Sequence, residues 1–263
     1  MKVTMSKGKH SKPSASPMRF KQETSSLHSK QTVTPVPAVV MLVLFAALTA
    51  CLYCLDLRPI AANNSLVGLG TLNGAFHELT GVNWGIYAAS ECGGYVAIVS
   101  MFVFFGIGVY ELVKTRSLEG VDKGIYLIAA AYVVMLVLYV FFDKVALNYR
   151  PVLVDGQLEP SFPSSHSFLA VGALGCVVVW VRKRMHGSVK NVTCAVCIVI
   201  IVLSVLARLV CGVHWLTDII AGVLLGLALV FAYSYLLDRF DHMGATPRFK
   251  PEDARSSLNQ AGR

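Results

Sequence analysis

Pro160-Ser161-Phe162-Pro163-Ser164-Ser165-His166-Ser167 is a polar, proline-punctuated stretch that runs straight into an apolar segment reaching Val181. The two prolines nearest the segment disfavour helix before position 164. Ser164 or Ser165 is suited to cap the helix that follows. Free backbone N–H groups and the positive end of a helix dipole then project from a hydrophobic run, an arrangement that suits an anion. His166 falls in the first turn. Taken alone, the plainer reading of a capped helix start with one histidine holds, and the rest of the chain decides between the two.

The 263 residues are 55% hydrophobic and only 14% charged, too apolar for an ordinary soluble domain. The apolar residues come in blocks rather than at amphipathic spacing, which predicts an all-α, polytopic membrane protein. The formal net charge of +8 raises nucleic acid as a partner. The Lys and Arg residues flank apolar runs without interleaved aromatics, however, so membrane orientation accounts for them better and no nucleic-acid partner is expected. Most of the seven cysteines lie in apolar runs, where cysteine packs as a small hydrophobe. The pair Cys194 and Cys197 has no second pair or nearby histidine to complete a metal set.

Six spans are expected: Val36–Leu57, Gly94–Val113, Gly124–Phe142, His166–Val181, Val192–Val210 and Trp215–Leu237. They define a helical domain over 35–238, preceded by a disordered basic tail over 1–34 and followed by a polar tail over 239–263. The connection 58–92 carries Leu66, Leu69, Leu72, Phe76 and Leu79 at helical spacing, which predicts a surface or interfacial helix. Leu48-Thr49-Ala50-Cys51 resembles a lipoprotein cleavage box, but the apolar run continues past Cys51 and argues against processing.

An even number of spans puts both termini on one side. Nineteen of the 23 Lys and Arg residues then share that side, leaving Arg58, Lys144, Arg150 and Arg208 on the other. This asymmetry predicts a multi-pass cell-membrane protein with both termini cytoplasmic. Positive charges retained on the outer side, at a membrane boundary, point to function.

Three clusters fall on that outer side. Lys144 and Arg150 leave the third span, Pro163-Ser164-Ser165-His166 opens the fourth, and Arg208 through Asp218 joins the fifth to the sixth. His214 and Asp218 are four apart at a helix start and share a face. A carboxylate there can fix the imidazole tautomer and leave the other nitrogen as nucleophile or base. Gly212 can end the fifth helix and fold Arg208 back towards the site. Three cations suit a multiply charged anion such as phosphate. Two histidines suit a two-step transfer. A zinc site is the competing reading of two His and one Asp, but three nearby cations would repel the metal and neither HExxH spacing nor a third His supports it.

Together the clusters resemble the signature of the type 2 phosphatidic acid phosphatase superfamily of lipid phosphate phosphatases: Lys-x6-Arg-Pro, then Pro-Ser-Gly-His, then Ser-Arg-x5-His-x3-Asp. The resemblance covers roughly residues 60–240. It implies that His214 attacks phosphorus to form a phosphohistidine, Asp218 orients it, and His166 protonates the leaving oxygen and then activates water. It further implies that Lys144, Arg150, Arg208 and Ser164, with the backbone N–H groups of Ser165 and His166, hold the phosphate without metal or other cofactor. This chain departs from the pattern in three places. Five residues rather than six separate Lys144 from Arg150, with Asp143 at the six-residue position; Ser165 replaces the glycine, which either adds a hydroxyl contact to the phosphate or only alters backbone freedom; Ala207 replaces the serine.

The expected function is hydrolysis of a lipid phosphate monoester or diphosphate at the outer membrane face. Undecaprenyl diphosphate, phosphatidic acid and phosphatidylglycerol phosphate are all substrates that the resemblance leaves open. A phosphotransferase with the same site, a non-catalytic lipid-phosphate binder or transporter, and vanadate-dependent haloperoxidase chemistry are the alternatives. The spans and the membrane-edge site argue against the last. The partners expected are the lipid substrate and the bilayer, and nothing in the sequence bears on oligomeric state.

Overall fold

The structure, a computed structural model, describes residues 33–244. Its elements are α1 (Val36–Cys54), the two-residue strands β1 (Arg58–Pro59) and β2 (Leu66–Val67), α2 (Gly70–Thr80), α3 (Trp84–Thr115), α4 (Lys123–Lys144), α5 (Ser165–Leu169), a π-helical turn over Ala170–Leu174, α6 (Gly175–Arg184), α7 (Gly187–Val210) and α8 (Leu216–Gly244). Among the described residues six helices are long and apolar enough to cross a membrane, counting the continuous run Ser165–Arg184 as one. The chain is a multi-pass helical membrane protein. Helices meet the bilayer's demand that every backbone polar group be paired within the segment.

The Ser165–Arg184 run is the axis of the bundle. In its most apolar 18-residue stretch 56% of the residues are buried, against 11% in the corresponding stretches of α1 and α3. The outer helices turn large apolar side chains such as Phe102, Phe105 and Leu136 outward, as lipid contact allows. The axis packs closely on α8 through Gly222 and Gly226, four apart on one face. A Cβ at Gly222 would lie 2.6 Å from the Ser164 carbonyl oxygen, and one at Gly226 2.8 Å from Val171 Cβ. Small residues at this spacing let membrane helices approach backbone to backbone. Leu174, Val177, Ile128 and Leu237 fill the core towards one end; Met135, Phe168 and Leu225 lie in the middle, and Leu52, Phe162 and Ala221 towards the other.

Ion pairs close the first of these ends. Arg184 reaches Asp122, the cap of α4, at 2.6 Å and grips both oxygens of Asp241 at 2.8 and 3.0 Å, while Lys183 meets Asp238 at 2.8 Å. The start of α4 and the ends of α6 and α8 are thereby tied together, away from the clusters of interest.

Element bounds differ from expectation in instructive ways. α3 begins at Trp84, well before Gly94, because Asn83 caps it by accepting from the Ile86 N–H at 3.0 Å. The helix expected from Leu66 to Leu79 starts only at Gly70: Leu66 pairs with Pro59 in the small sheet, and Leu69 sits at φ +49°. Asp56 sets that start from outside the helix, accepting from the Thr71 N–H at 2.6 Å. Arg58 and Thr71 hold its carboxyl low, at about 2. The tail expected over 1–34 lies outside the described residues except at 33–34. The tail expected from 239 begins inside α8, which runs to Gly244.

Candidate active site

Two backbone bonds bring the polar clusters together. The Ser164 N–H donates to the Asp218 carbonyl at 2.9 Å, joining the starts of α5 and α8. The Ser161 N–H donates to the Asn148 carbonyl at 2.9 Å, within a narrow loop that pairs Tyr149 with Pro160. Trp215 then locks this loop to α8, its indole donating to the Tyr149 carbonyl at 2.7 Å. α7 stops at Val210, and Gly212 takes φ +70° as the chain turns back. A side chain there would collide with the Gly81 carbonyl oxygen at 1.6 Å, so this tight turn needs glycine.

His214 is buried, and its Nδ1 lies 3.1 Å from the Ser161 carbonyl oxygen. A carbonyl can only accept, so Nδ1 carries the proton and Nε2 bears the lone pair. Nε2 has no hydrogen-bond partner among the described residues. Burial first, then the charges of Arg150 and Arg208, push the imidazole's pKa well below its ordinary 6.5. His214 is therefore neutral at neutral pH, with a free lone pair.

Asp218 does not make the expected bond to His214. Its Oδ2 is 3.9 Å from His214 Nδ1 and instead accepts the Trp215 N–H at 3.0 Å. The reason is positional. Asp218 is the third residue of α8, where a carboxylate reaches back to the N–H of the capping residue. The Ser161 carbonyl orients His214, and Asp218 fixes the helix start from which His214 hangs.

Arg208 is fully buried. Its guanidinium pairs with Glu91 and stacks over the Tyr87 ring, 5.0 Å from the centroid. Arg150 is buried as well and meets Glu159 through Nη2 at 2.9 Å. Nε and Nη1 of both arginines have no hydrogen-bond partner among the described residues. Two buried guanidinium groups with free donors and an imidazole lone pair are a donor set whose chemistry suits an anion with several oxygens.

His166 bonds Glu91 Oε2 through Nε2 at 2.8 Å, and its Nδ1 lies 3.4 Å from Ser165 Oγ. The ring packs against Gly94, where a Cβ would come within 2.6 Å of Cδ2.

Lys144 and Ser164 stand elsewhere than expected. Lys144 ends α4 with its side chain 77% exposed, paired to Asp143 at 3.0 Å. Neighbouring helix positions point about 100° apart, so Asp143 takes the inward face and the lysine the outer one. Ser164 is buried and makes no capping bond; its Oγ meets Ser167 Oγ at 3.2 Å.

A cavity of ≈ 230 Å³ runs to this site. Arg150, Ser165 and His214 form its polar wall, with Asp143 and Glu159 also lining it. Leu138, Tyr139 and Phe142 of α4, with Phe162 and Phe168, form its apolar wall.

Glu91 escaped the sequence reading. One acidic residue inside an apolar run was the available signal, but starting the second span at Gly94 placed it in a connection. The Ser161 carbonyl carried no signal at all, since any residue has one.

Residues 125–241 match the model of the PAP2 superfamily. A solved structure described as the first transmembrane PAP2 type phosphatidylglycerolphosphate phosphatase from Bacillus subtilis aligns with a TM-score of 0.53 and 20% identity. The alignment covers 81% of this chain and 99% of that one, which establishes the shared fold. No curated protein matches the chain.

Proposed function

We propose, from the premise that residues 125–241 are a PAP2 superfamily region, that this chain is an integral membrane lipid phosphatase working through a phosphohistidine on His214. The observation that carries the proposal is the unpartnered His214 Nε2, buried together with the unpartnered Nε and Nη1 atoms of Arg150 and Arg208. A nucleophile with a free lone pair and donors for equatorial phosphate oxygens are the two parts that in-line phosphoryl transfer requires.

In the first step His214 Nε2 bonds to phosphorus as the ester P–O bond breaks. The leaving oxygen takes a proton from His166 and departs as an alcohol. In the second, a water oxygen bonds to phosphorus, the N–P bond breaks, and the water's proton passes to His166. The Ser161 carbonyl keeps its bond to His214 Nδ1–H throughout. Arg150 and Arg208 neutralise the charge on phosphate, with the Ser165 hydroxyl available from the cavity wall. Lys144 and Ser164 are left out of this set.

A lipid substrate is supported by the cavity's two walls, one polar, carrying Arg150 and His214, and one apolar along α4. The headgroup is a phosphate monoester or diphosphate, hydrolysed without metal. The charge asymmetry between the two sides supports cytoplasmic termini and an outward-facing site.

The test is release of inorganic phosphate from a panel of lipid phosphates by the purified protein in chelator. Turnover that survives chelator and disappears in His214→Ala supports the proposal. Turnover that requires added metal, or none on any lipid, contradicts it.

A further inference from the structure

We infer that Glu91 is a positioning residue for the proton-donating histidine: its carboxylate holds His166 by Nε2 and stabilises the imidazolium in an otherwise cationic site. The inference rests on the reading of His166 as the acid. Glu91 lies on α3, ahead of the region matched to the family.

The geometry limits what each atom can do. A carboxylate only accepts, so the 2.8 Å bond to Glu91 Oε2 places a proton on His166 Nε2. The nitrogen whose protonation changes during turnover is then Nδ1. Nδ1 faces Ser165, a residue of the cavity wall, so this nitrogen is on the substrate side. To protonate a leaving oxygen through Nδ1 while keeping the bond to Glu91, the ring must be an imidazolium. The charged and titratable groups around it are Arg208 from α7, Arg150 and the neutral His214 from the adjoining loops, and Glu91 from α3. Of these only Glu91 favours the charged ring.

The same carboxylate meets Arg208 with its other oxygen. One side chain thus spans the proposed acid and a proposed phosphate ligand, fixing their separation. It engages Nη2 of the guanidinium and leaves Nε and Nη1 without hydrogen-bond partners among the described residues. Gly94, three residues along α3 from Glu91, lets the ring edge lie close to the helix, since a Cβ there would come within 2.6 Å of Cδ2. Glu91 and Gly94 lie on one face of α3, and together they form the wall that seats His166.

The role is read from leaving-group dependence. A leaving alkoxide needs a proton as the P–O bond breaks, whereas a nitrophenolate does not. Purified wild type, Glu91→Gln, Glu91→Asp and His166→Ala are compared on two lipid-like phosphate monoesters of matched chain length, one with an alkyl and one with a nitrophenyl leaving group. In Glu91→Gln, kcat/KM on the alkyl ester is expected to fall roughly 10- to 100-fold, a share of the ~10²–10⁴ that acid catalysis contributes. The nitrophenyl ester is expected to change by less than about threefold. His166→Ala should give the same selectivity with a larger loss, and Glu91→Asp should recover part of the alkyl activity. Equal losses on both esters in Glu91→Gln, or no loss on either, overturn the inference while a selective His166→Ala leaves the phosphatase reading standing. A wild type that hydrolyses neither ester overturns both. Should Glu91→Gln aggregate in detergent, Glu91→Asp carries the test, with a selective loss on the alkyl ester again expected.

Discussion

Replacing Gly94 with alanine puts a single methyl against the proposed acid. The added Cβ would stand 2.6 Å from His166 Cδ2 and 3.1 Å from Nε2. Ordinary contact needs roughly 3.4–4 Å, so the ring must yield by about an ångström. α3 has little room to retreat, since its next-door Gly93 is pressed against Ser204 of α7. The ring therefore moves, and the 2.8 Å bond to Glu91 lengthens or breaks. Misplacing a reacting group by about 1 Å costs on the order of 10²-fold in rate. Stability should change less, because overpacking of about 1–3 kcal/mol is partly offset by the ~1 kcal/mol that alanine gains over glycine in a helix. Gly106→Ala in the same helix is the control: nothing lies within 4 Å of its Cβ position. The assay is phosphate release, with thermal melts of both variants in detergent. Unchanged turnover in Gly94→Ala, or equal losses in Gly94→Ala and Gly106→Ala, would refute the placement of His166.

Lys144→Ala should keep turnover within about threefold, whereas Arg150→Ala should lose on the order of 10²-fold through the missing phosphate contact; phosphate release decides, and equal losses would return Lys144 to the site. His214 should keep its nucleophilic form well below pH 6.5, because its folded pKa is lowered, so a kcat/KM profile should show no loss near 6.5 that His214 causes. The same shift has a stability consequence. Above 6.5 the ring is neutral in both states, and as pH falls below 6.5 the unfolded chain takes up the proton first, so stability is lost on acidification. Melts at pH 7 and 5 should therefore converge in His214→Gln relative to wild type, and an unchanged pH dependence would contradict the burial of a neutral imidazole.

The spans were legible because lipid leaves few options: a run of about 20 apolar residues must be helical. The clustering of Arg150, His166, Arg208 and His214 was legible too, since alternating spans carry positions 150, 166, 208 and 214 to one face. What escaped were interactions set by local geometry. Asp218 is four residues from His214, which makes a bond between them look natural, yet its place as the third residue of α8 directs it to the Trp215 N–H. Lys144 is close in sequence to Arg150, but one step around α4 turns it outward. Ser164 holds the N-cap position of α5 as expected, but packing against Gly222 buries its hydroxyl with Ser167 and it makes no side-chain capping bond. Glu91 depended on where α3 begins, which Asn83 decides, and the Ser161 carbonyl is backbone and so invisible to any reading of side chains.

The proposed chemistry is tested most directly by trapping the intermediate. His166→Ala, incubated with a lipid-like nitrophenyl ester carrying radiolabelled phosphate, whose leaving group needs no proton, and quenched in alkali, should retain acid-labile, alkali-stable label on the segment that contains His214. Label on any other residue, or full turnover by His214→Ala, would contradict a phosphohistidine at that position.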